Sequence, residues 1–253
     1  MGIVQNSSWI AAIVVIVGLF TVIFLIGKTI AIASLFQKGI ALYQQQDYPE
    51  AETVFRQVIH RQRSNDMVRL LLGNTLLAQN KWDEAVAVFR DLIARSPKTV
   101  DGYIKLAQAL IEQGKPDAAI PVIQELLQRH PKNTDIPFNV GLMLSKINRL
   151  DTLIESYQTL SQQSPEKAIL HLNLANSLMI QENWQAAIEE YQEAIALNIK
   201  KPQAYWYLGD AFRQQGQLDE ALSVWREAIS RYPNDQDAQL RIRQALKEQG
   251  KFG

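Results

Sequence analysis

The feature that most constrains the fold of this chain is a period of 34 residues. Small residues recur at that spacing, a second series of small residues follows twelve positions later, and a large apolar residue comes four positions after that. The first series is Gly39, Gly73, Ala107, Gly141, Ala175 and Gly209, the second is Ala51, Ala85, Ala119, Leu153, Ala187 and Ala221, and the third is Phe55, Phe89, Ile123, Tyr157, Tyr191 and Trp225. Six copies in one frame predict a repeat protein in which each unit packs on its neighbours.

Each repeat is predicted to be a helical hairpin. A small residue midway along each of two helices lets their backbones approach, and a large apolar side chain one turn later fills the space beside it. One position between the two helices holds a residue that tolerates the left-handed conformation, as expected at the end of a helix. That position is occupied by Asn80, Gly114, Asn148 and Gly216 in four of the repeats.

This pattern resembles the tetratricopeptide repeat family. The copy that runs from Ala204 to Pro233, AYWYLGDAFRQQGQLDEALSVWREAISRYP, carries the aromatic, Leu-Gly, Ala, aromatic and Pro positions of that family. The resemblance implies an all-α fold, a right-handed α-solenoid of six hairpins over residues 29–235 with a polar-faced capping helix at 236–250. The predicted repeats are 32–65, 66–99, 100–133, 134–167, 168–201 and 202–235.

Two repeats depart from the pattern. The fourth has Pro137 where an aromatic residue is usual and Leu153 where alanine is usual. The fifth ends in NIKK, without the closing proline at its position. Looser packing or a bend is expected at these repeats.

The apolar stretch at residues 8–28, SWIAAIVVIVGLFTVIFLIGK, is predicted to be a transmembrane helix behind a short tail at 1–7 on the non-cytoplasmic side. Eighteen residues from Trp9 to Ile26 cover about 27 Å as a helix, close to the hydrocarbon thickness of a bilayer. A cleaved signal is the alternative, because Ala31-Ile32-Ala33 provides a cleavage pattern, but no Lys or Arg precedes the apolar run and the run is long for such a signal.

Charge sets the expected orientation of this helix. Lys28 and Lys38 follow the span whereas residues 1–8 carry no charged side chain, so the N-terminus is expected outside and the repeats in the cytoplasm. No Pro, Ser or Gly-rich spacer follows Lys28, so the spanning helix is expected to run directly into the first hairpin. Residues up to 65 hold five Lys or Arg against three Asp or Glu, an excess that either faces anionic lipid or is an ordinary solvated surface.

The resemblance also implies a concave face lined by the first helix of each hairpin, where amide side chains could hold a partner's backbone. The predicted groove residues are Asn74, Gln108, Asn139, Asn173, Asn176 and Asp210. Some members of the family clamp a partner's C-terminal carboxylate with lysine at a position that is apolar here. That position holds Phe36, Leu70, Ile104, Phe138, Leu172 and Trp206, which favours a mixed or hydrophobic client segment.

Composition argues against several other functions. Twenty-six basic and twenty-six acidic residues leave no basic excess for nucleic acid, and the absence of cysteine excludes thiolate metal sites and thiol nucleophiles. The three histidines form no metal-ligand pattern, and no catalytic motif is present. We therefore predict no enzymatic activity, no catalytic residue, no cofactor and no metal.

These features together predict a membrane-anchored scaffold that binds a client protein and assists assembly or localisation of a membrane complex. The layout is similar to small thylakoid-anchored tetratricopeptide proteins of cyanobacteria and plastids, which would place the chain in a thylakoid or plasma membrane and suggests a photosynthetic client. The alternatives are an exported protein released by cleavage near Ala33 and a regulatory subunit of an envelope enzyme.

Overall fold

The structure is a computed structural model that describes residues 2–248, with side chains described from Ile16 onward. Within that range it consists of thirteen α-helices joined by short turns, with no strand. The predicted all-α fold of helical hairpins is therefore confirmed. The chain divides into two compact units, the first ending at Gln113 and the second beginning at Gly114, and each is described by itself.

Unit 1 contains the first five helices. They are α1 (Gly2–Gln44), α2 (Tyr48–Arg61), α3 (Asp66–Ala78), α4 (Trp82–Arg95) and α5 (Val100–Glu112). Successive helices run antiparallel and pack through the small residues of the repeat. At Gly39, an added Cβ would lie 2.7 Å from the Phe55 ring, so only glycine permits this approach of α1 to α2.

Helix α1 combines the apolar stretch and the first helix of the first hairpin. It runs without interruption from Gly2 to Gln44, as expected from the lack of a spacer. An 18-residue window between Ile16 and Gln44 has a mean hydropathy of 2.3, and none of it is buried. By length and composition this segment could cross a membrane. The side chain of Trp9 and the predicted end of the capping helix at 250 lie outside the described residues.

Unit 2 contains the remaining eight described helices. They are α6 (Pro116–Arg129), α7 (Ile136–Ser145), α8 (Leu150–Gln163), α9 (Ala168–Ile180), α10 (Trp184–Ala196), α11 (Gln203–Gln214), α12 (Leu218–Arg231) and α13 (Gln236–Glu248). Trp225 is fully buried, its indole fills the space above Gly209, and its Nε1 donates a hydrogen bond of 3.1 Å to the Trp206 carbonyl. The pairing of a small residue with a large apolar one thus closes α11 on α12.

The turn inside each hairpin uses a left-handed residue at one repeat position. The predicted Asn80, Gly114, Asn148 and Gly216 all have positive φ, and so do Gln46 (φ 63°) and Glu182 (φ 61°), which sequence reasoning missed. The repeat geometry therefore imposes the conformation even where the residue does not favour it.

The fourth and fifth repeats differ locally from the others. Helix α7 has 10 residues and begins at Ile136, after a loop in which Asn133 Oδ1 accepts hydrogen bonds from the backbone N–H groups of Asp135 and Ile136. In the fifth repeat, Asn198 takes a further left-handed conformation, with φ 61°, directly after α10.

Candidate protein-binding groove

Unit 2 contains a groove of about 450 Å³. Its walls come from α7, α9, α11 and α13, with one side chain from α10. The apolar lining is Phe138, Met179, Ile180, Trp184, Tyr207 and Leu240, and the polar lining is Asp210, Arg213, Gln214, Arg241 and Gln244. This groove is the candidate binding site.

Aromatic rings form the floor of the groove. The Phe138 and Tyr207 rings are 5.3 Å apart between centroids, and Tyr207 lies 6.4 Å from the fully buried Tyr191 ring. Burial raises the pKa of Tyr207, so its hydroxyl remains protonated at neutral pH. The floor therefore offers apolar area and a neutral hydrogen-bonding group, a combination that protein interfaces favour.

One ion pair crosses the groove between α11 and α13. Arg241 Nε donates to both oxygens of Asp210, at 3.0 Å each. The Arg241 guanidinium also lies 5.5 Å from the Trp206 ring centroid and 5.9 Å from that of Tyr207. Burial raises the pKa of Asp210, while the charge and hydrogen bonds of Arg241 oppose that rise. The pair joins the last helix to the groove and is neutral as a whole, so the remaining charge of the lining is that of Arg213.

The structure places the predicted unit 2 residues in three different environments. Asn139 is exposed on α7, and Asp210 lines the groove. Asn173 is fully buried, and its Nδ2 donates to the carbonyls of Pro131 and Asn133, at 3.0 and 3.1 Å. Asn176 is also buried and accepts a 2.7 Å hydrogen bond from Tyr191. Asn173 and Asn176 are inaccessible to a ligand here and serve the fold instead.

The two predicted residues of unit 1 are partly exposed. Asn74, on α3, has an enclosed Oδ1 with no hydrogen-bond partner among the described atoms. Gln108, on α5, donates to Glu112 at 2.9 Å and accepts from Lys105 at 3.1 Å. Of the two, Asn74 has the freer hydrogen-bonding capacity.

The apolar residues at the position of the clamp lysine lie in different environments. Phe138 lines the groove, whereas Leu172 is fully buried and Trp206 donates its indole N–H to Asp235. Only part of this series is therefore available to a client.

Sequence reasoning missed most of the groove, including Met179, Ile180, Tyr207, Arg213 and Arg241. A signal for two of the groove residues was present, because the 34-residue frame extends into α13 and puts Arg241 at the position of Tyr207 and Leu240 at that of Trp206. Treating α13 only as a cap concealed that it continues the groove wall.

Sequence comparison decides the family. A tetratricopeptide repeat profile matches residues 36–101, 147–202 and 172–236, and a second tetratricopeptide repeat profile matches residues 76–136. The chain belongs to the tetratricopeptide repeat family. Tetratricopeptide proteins mediate protein–protein interactions and are typically non-enzymatic scaffolds. No curated protein matches the sequence.

Solved tetratricopeptide structures share the fold at low identity. Yeast Tom70 is 19% identical with a TM-score of 0.52, over 86% of this chain and 47% of that chain, so this chain spans about half of its length. A thermophilic tetratricopeptide protein of Thermus thermophilus is 20% identical (TM-score 0.39; 85% and 98% covered), and pilF of Pseudomonas aeruginosa is 16% identical (TM-score 0.44; 84% and 97% covered). These likenesses concern the fold alone.

The described residues offer no metal site. No group of three or more His, Asp or Glu side chains within residues 2–248 is arranged to hold an ion.

His171, which takes a position usual for an aromatic residue, lies 2.7 Å from Glu190 through Nδ1 and 3.0 Å from the Pro165 carbonyl through Nε2. Its contacts tie α9 to α10 and to the preceding loop.

Proposed function

We propose that this chain is a membrane-anchored scaffold that binds a client protein through the groove of unit 2. The observation that carries the proposal is the aromatic floor of that groove beside the Asp210–Arg241 pair. An apolar client side chain would pack on Phe138 and Tyr207, while Gln214 and Gln244 offer donors and acceptors to the client backbone.

The exposed surface of α1 supports the anchoring part of the proposal. Ile16, Phe20, Phe24 and Ile30 are each more than half exposed, and an apolar surface of this kind is stable only when lipid or protein covers it. The proposed occupant is a bilayer, with the N-terminus outside and the repeats in the cytoplasm, because Lys28 and Lys38 follow the span.

The client's role is proposed at the level of class. A protein-binding groove on a chain that is anchored in a membrane suits a scaffold that gathers a membrane-associated client for assembly or localisation. The thylakoid and photosynthetic assignment remains a hypothesis that rests on the layout of one span followed directly by repeats.

The groove is tested by site-specific photocrosslinking in native membranes. A photoreactive phenylalanine analogue replaces Gln214 in the groove, and a matched control carries it at Ser230, which is on α12 outside the groove. We expect a discrete crosslinked client from Gln214 alone. Leu240 is a half-exposed residue of the groove, and Leu240→Glu should weaken crosslinking of the client about tenfold, which corresponds to a loss of about 1.4 kcal/mol in binding free energy. Equal crosslinking from both positions would move the site off the groove.

The anchor is tested by mass spectrometry of the chain recovered from membranes. An intact mass that includes residues 1–28 in the membrane fraction supports the anchor. A soluble chain that begins near Ser34 would show that the apolar stretch is a cleaved signal and that the protein is exported.

A further inference from the structure

Unit 1 has two opposite edges, and α1 leaves from one of them. The end of α1 and the start of α2 meet at a turn, where the Tyr43 and Tyr48 rings are 5.6 Å apart, while Phe36 lies 6.5 Å from Phe55 further back along both helices. Both helices rise about 1.5 Å per residue, so this antiparallel pairing brings Arg61 level with Ile30, at the end of the exposed apolar stretch of α1.

The second hairpin places its own loops on the same two edges. The end of α4 meets the start of α3, because Arg69 Nε donates to Asp91 at 2.7 Å and Ser96 bonds to Asp66. At the other edge, Gln79 donates to the Tyr48 carbonyl at 3.3 Å. We call the edge formed by the loops 62–65 and 96–99, from which α1 emerges, the anchor edge.

The anchor edge carries cations that have no carboxylate partner among the described residues. They are Lys28, Arg61, Arg63 and Lys98, all of them exposed. The carboxylates Asp66 and Asp91 at this edge already pair with Arg69, at 3.6 and 2.7 Å, which leaves Asp101 as an exposed acid without an ion pair among the described residues. The excess charge here is therefore positive.

The opposite edge has the reverse character. Its cation Lys81 is paired with Glu52 at 2.7 Å, and carboxylates stand at the starts of α2 and α4. Glu50 and Asp83 are exposed without an ion pair among the described residues, and Glu84 pairs with Arg56. The helix dipole accounts for basic residues at helix ends and acidic residues at helix starts. It does not account for which edge α1 leaves from, and α1 leaves from the basic one.

A groove also opens toward the anchor edge. It has a volume of about 570 Å³, and its lining combines His60 and Arg63 with apolar Ile59 and Val88. Arg69 and Arg95 also line it, and both pair with the carboxylate of Asp91. Guanidinium groups bind phosphate oxygens through paired N–H donors, and the apolar part suits the hydrocarbon attached to a headgroup.

We propose that the anchor edge of unit 1 lies on the membrane surface and binds the phosphate groups of anionic lipids. This inference rests on the proposed anchoring of α1. Each cation near an anionic surface contributes attraction that is screened within a Debye length. The contacts fix the orientation of unit 1 and direct its opposite, acidic edge into the cytoplasm.

The test uses the full chain in vesicles of phosphatidylcholine alone or mixed with phosphatidylglycerol. The chain has no cysteine, so single cysteines carry a donor fluorophore at Ser64 on the anchor edge or at Gln45 on the opposite edge. Energy transfer to an acceptor on lipid headgroups reports the distance of each edge from the membrane. We expect higher transfer from Ser64 than from Gln45, and a further rise for Ser64 in anionic vesicles.

Three neutralised cations form the decisive variant. Arg61→Gln, Arg63→Gln and Lys98→Gln together should abolish the rise caused by anionic lipid, with a fall of about fivefold per cation in the ratio of surface-bound to free orientations. About 1 M NaCl, where the Debye length is about 3 Å, should do the same, and Lys38→Gln serves as the control. Inorganic phosphate is compared with NaCl at the same ionic strength. If only phosphate removes the rise, the site binds free phosphate and the lipid contact is overturned.

Two failures are distinguishable. A chain that floats with the vesicles but gives equal transfer from Ser64 and Gln45 overturns the orientation and leaves the anchor intact. A chain that does not float with vesicles of either composition overturns the anchor and the orientation together.

Discussion

Tyr191 donates a hydrogen bond of 2.7 Å to Asn176, and both side chains are buried. One repeat earlier, the same two positions hold Tyr157 and Leu142. Leu142 has no acceptor in its side chain, and the buried Tyr157 hydroxyl has no hydrogen-bond partner among the described atoms. Two tyrosines at one repeat position therefore differ in whether their hydroxyl groups are satisfied.

This difference predicts opposite responses to the same substitution. Tyr157→Phe removes an unsatisfied buried hydroxyl and should leave the free energy of unfolding unchanged or raise it by up to about 1 kcal/mol. Tyr191→Phe leaves Asn176 Oδ1 without its donor and should lower the free energy of unfolding by about 1–3 kcal/mol. Denaturant unfolding of the full chain in detergent, followed by circular dichroism, measures both. A greater loss from Tyr157→Phe would contradict the assignment.

The left-handed turn positions give a second prediction. Gln46 and Glu182 adopt positive φ without being glycine or asparagine, so Gln46→Gly and Glu182→Gly should each raise the free energy of unfolding by about 0.5–1 kcal/mol. Gly114→Ala is the matched control at the same repeat position. It should lower the free energy of unfolding by about 1 kcal/mol through backbone strain alone, because Gly114 has φ 80° and an added Cβ would meet no neighbouring atom. Thermal unfolding of the three variants measures the effect, and destabilisation by either glycine would disagree with it.

The hairpins could be predicted from the sequence because their packing repeats. A small residue at Gly39 or Gly209 and an aromatic residue sixteen positions later describe one contact, and its recurrence fixes the helix register without knowledge of the environment. The positive φ of Glu182 could not be read from its type, because the neighbouring helices impose it.

The groove was harder to predict because repeat position does not determine burial. Asn176 and Asp210 occupy equivalent positions, yet Asn176 is buried against Tyr191 and Asp210 lines the groove. The late start of α7 leaves a loop whose carbonyls Asn173 bonds, and this too depends on tertiary structure. Long-range partners such as Arg241 follow from where α13 packs, not from local sequence.

A third prediction concerns acid sensitivity in unit 1. Burial alone would raise the pKa of Glu52, but hydrogen bonds from Lys81, Arg56 and Gln79 outweigh it and hold the pKa at about 2, below the ordinary 4.5. A carboxylate with a lowered pKa stabilises the fold above pH 4.5 and loses that contribution as the pH falls toward 2.

Glu52→Gln should therefore lower the free energy of unfolding at neutral pH by on the order of 1–2 kcal/mol and flatten its decline below pH 4.5. Denaturant unfolding across that pH range provides the measurement. Glu50→Gln is the control, because Glu50 is exposed on the same helix and has no ion pair among the described residues. The same acid dependence in wild type and Glu52→Gln would count against this assignment.

The fourth prediction has the opposite sign and concerns the ion pair of the groove. Burial raises the pKa of Asp210 above 3.8, and Arg241 opposes the rise. A carboxyl group with a raised pKa binds its proton more tightly in the folded state, so stability falls as the pH rises from 3.8 through the folded pKa. Arg241→Gln removes the opposing charge and should enlarge that loss.

We expect Arg241→Gln to cost on the order of 1–2 kcal/mol at neutral pH, a moderate value because the two side chains are 20% and 23% exposed. The deficit should shrink as the pH is lowered toward 3.8, where Asp210 takes up its proton. The double variant Asp210→Asn with Arg241→Gln has no carboxylate at this place, so its difference from wild type should vary much less with pH. Denaturant unfolding of the single and double variants across this pH range measures the effect. A deficit in Arg241→Gln that stays constant with pH would mean that Arg241 stabilises the fold by packing on Trp206 and Tyr207 and not through Asp210.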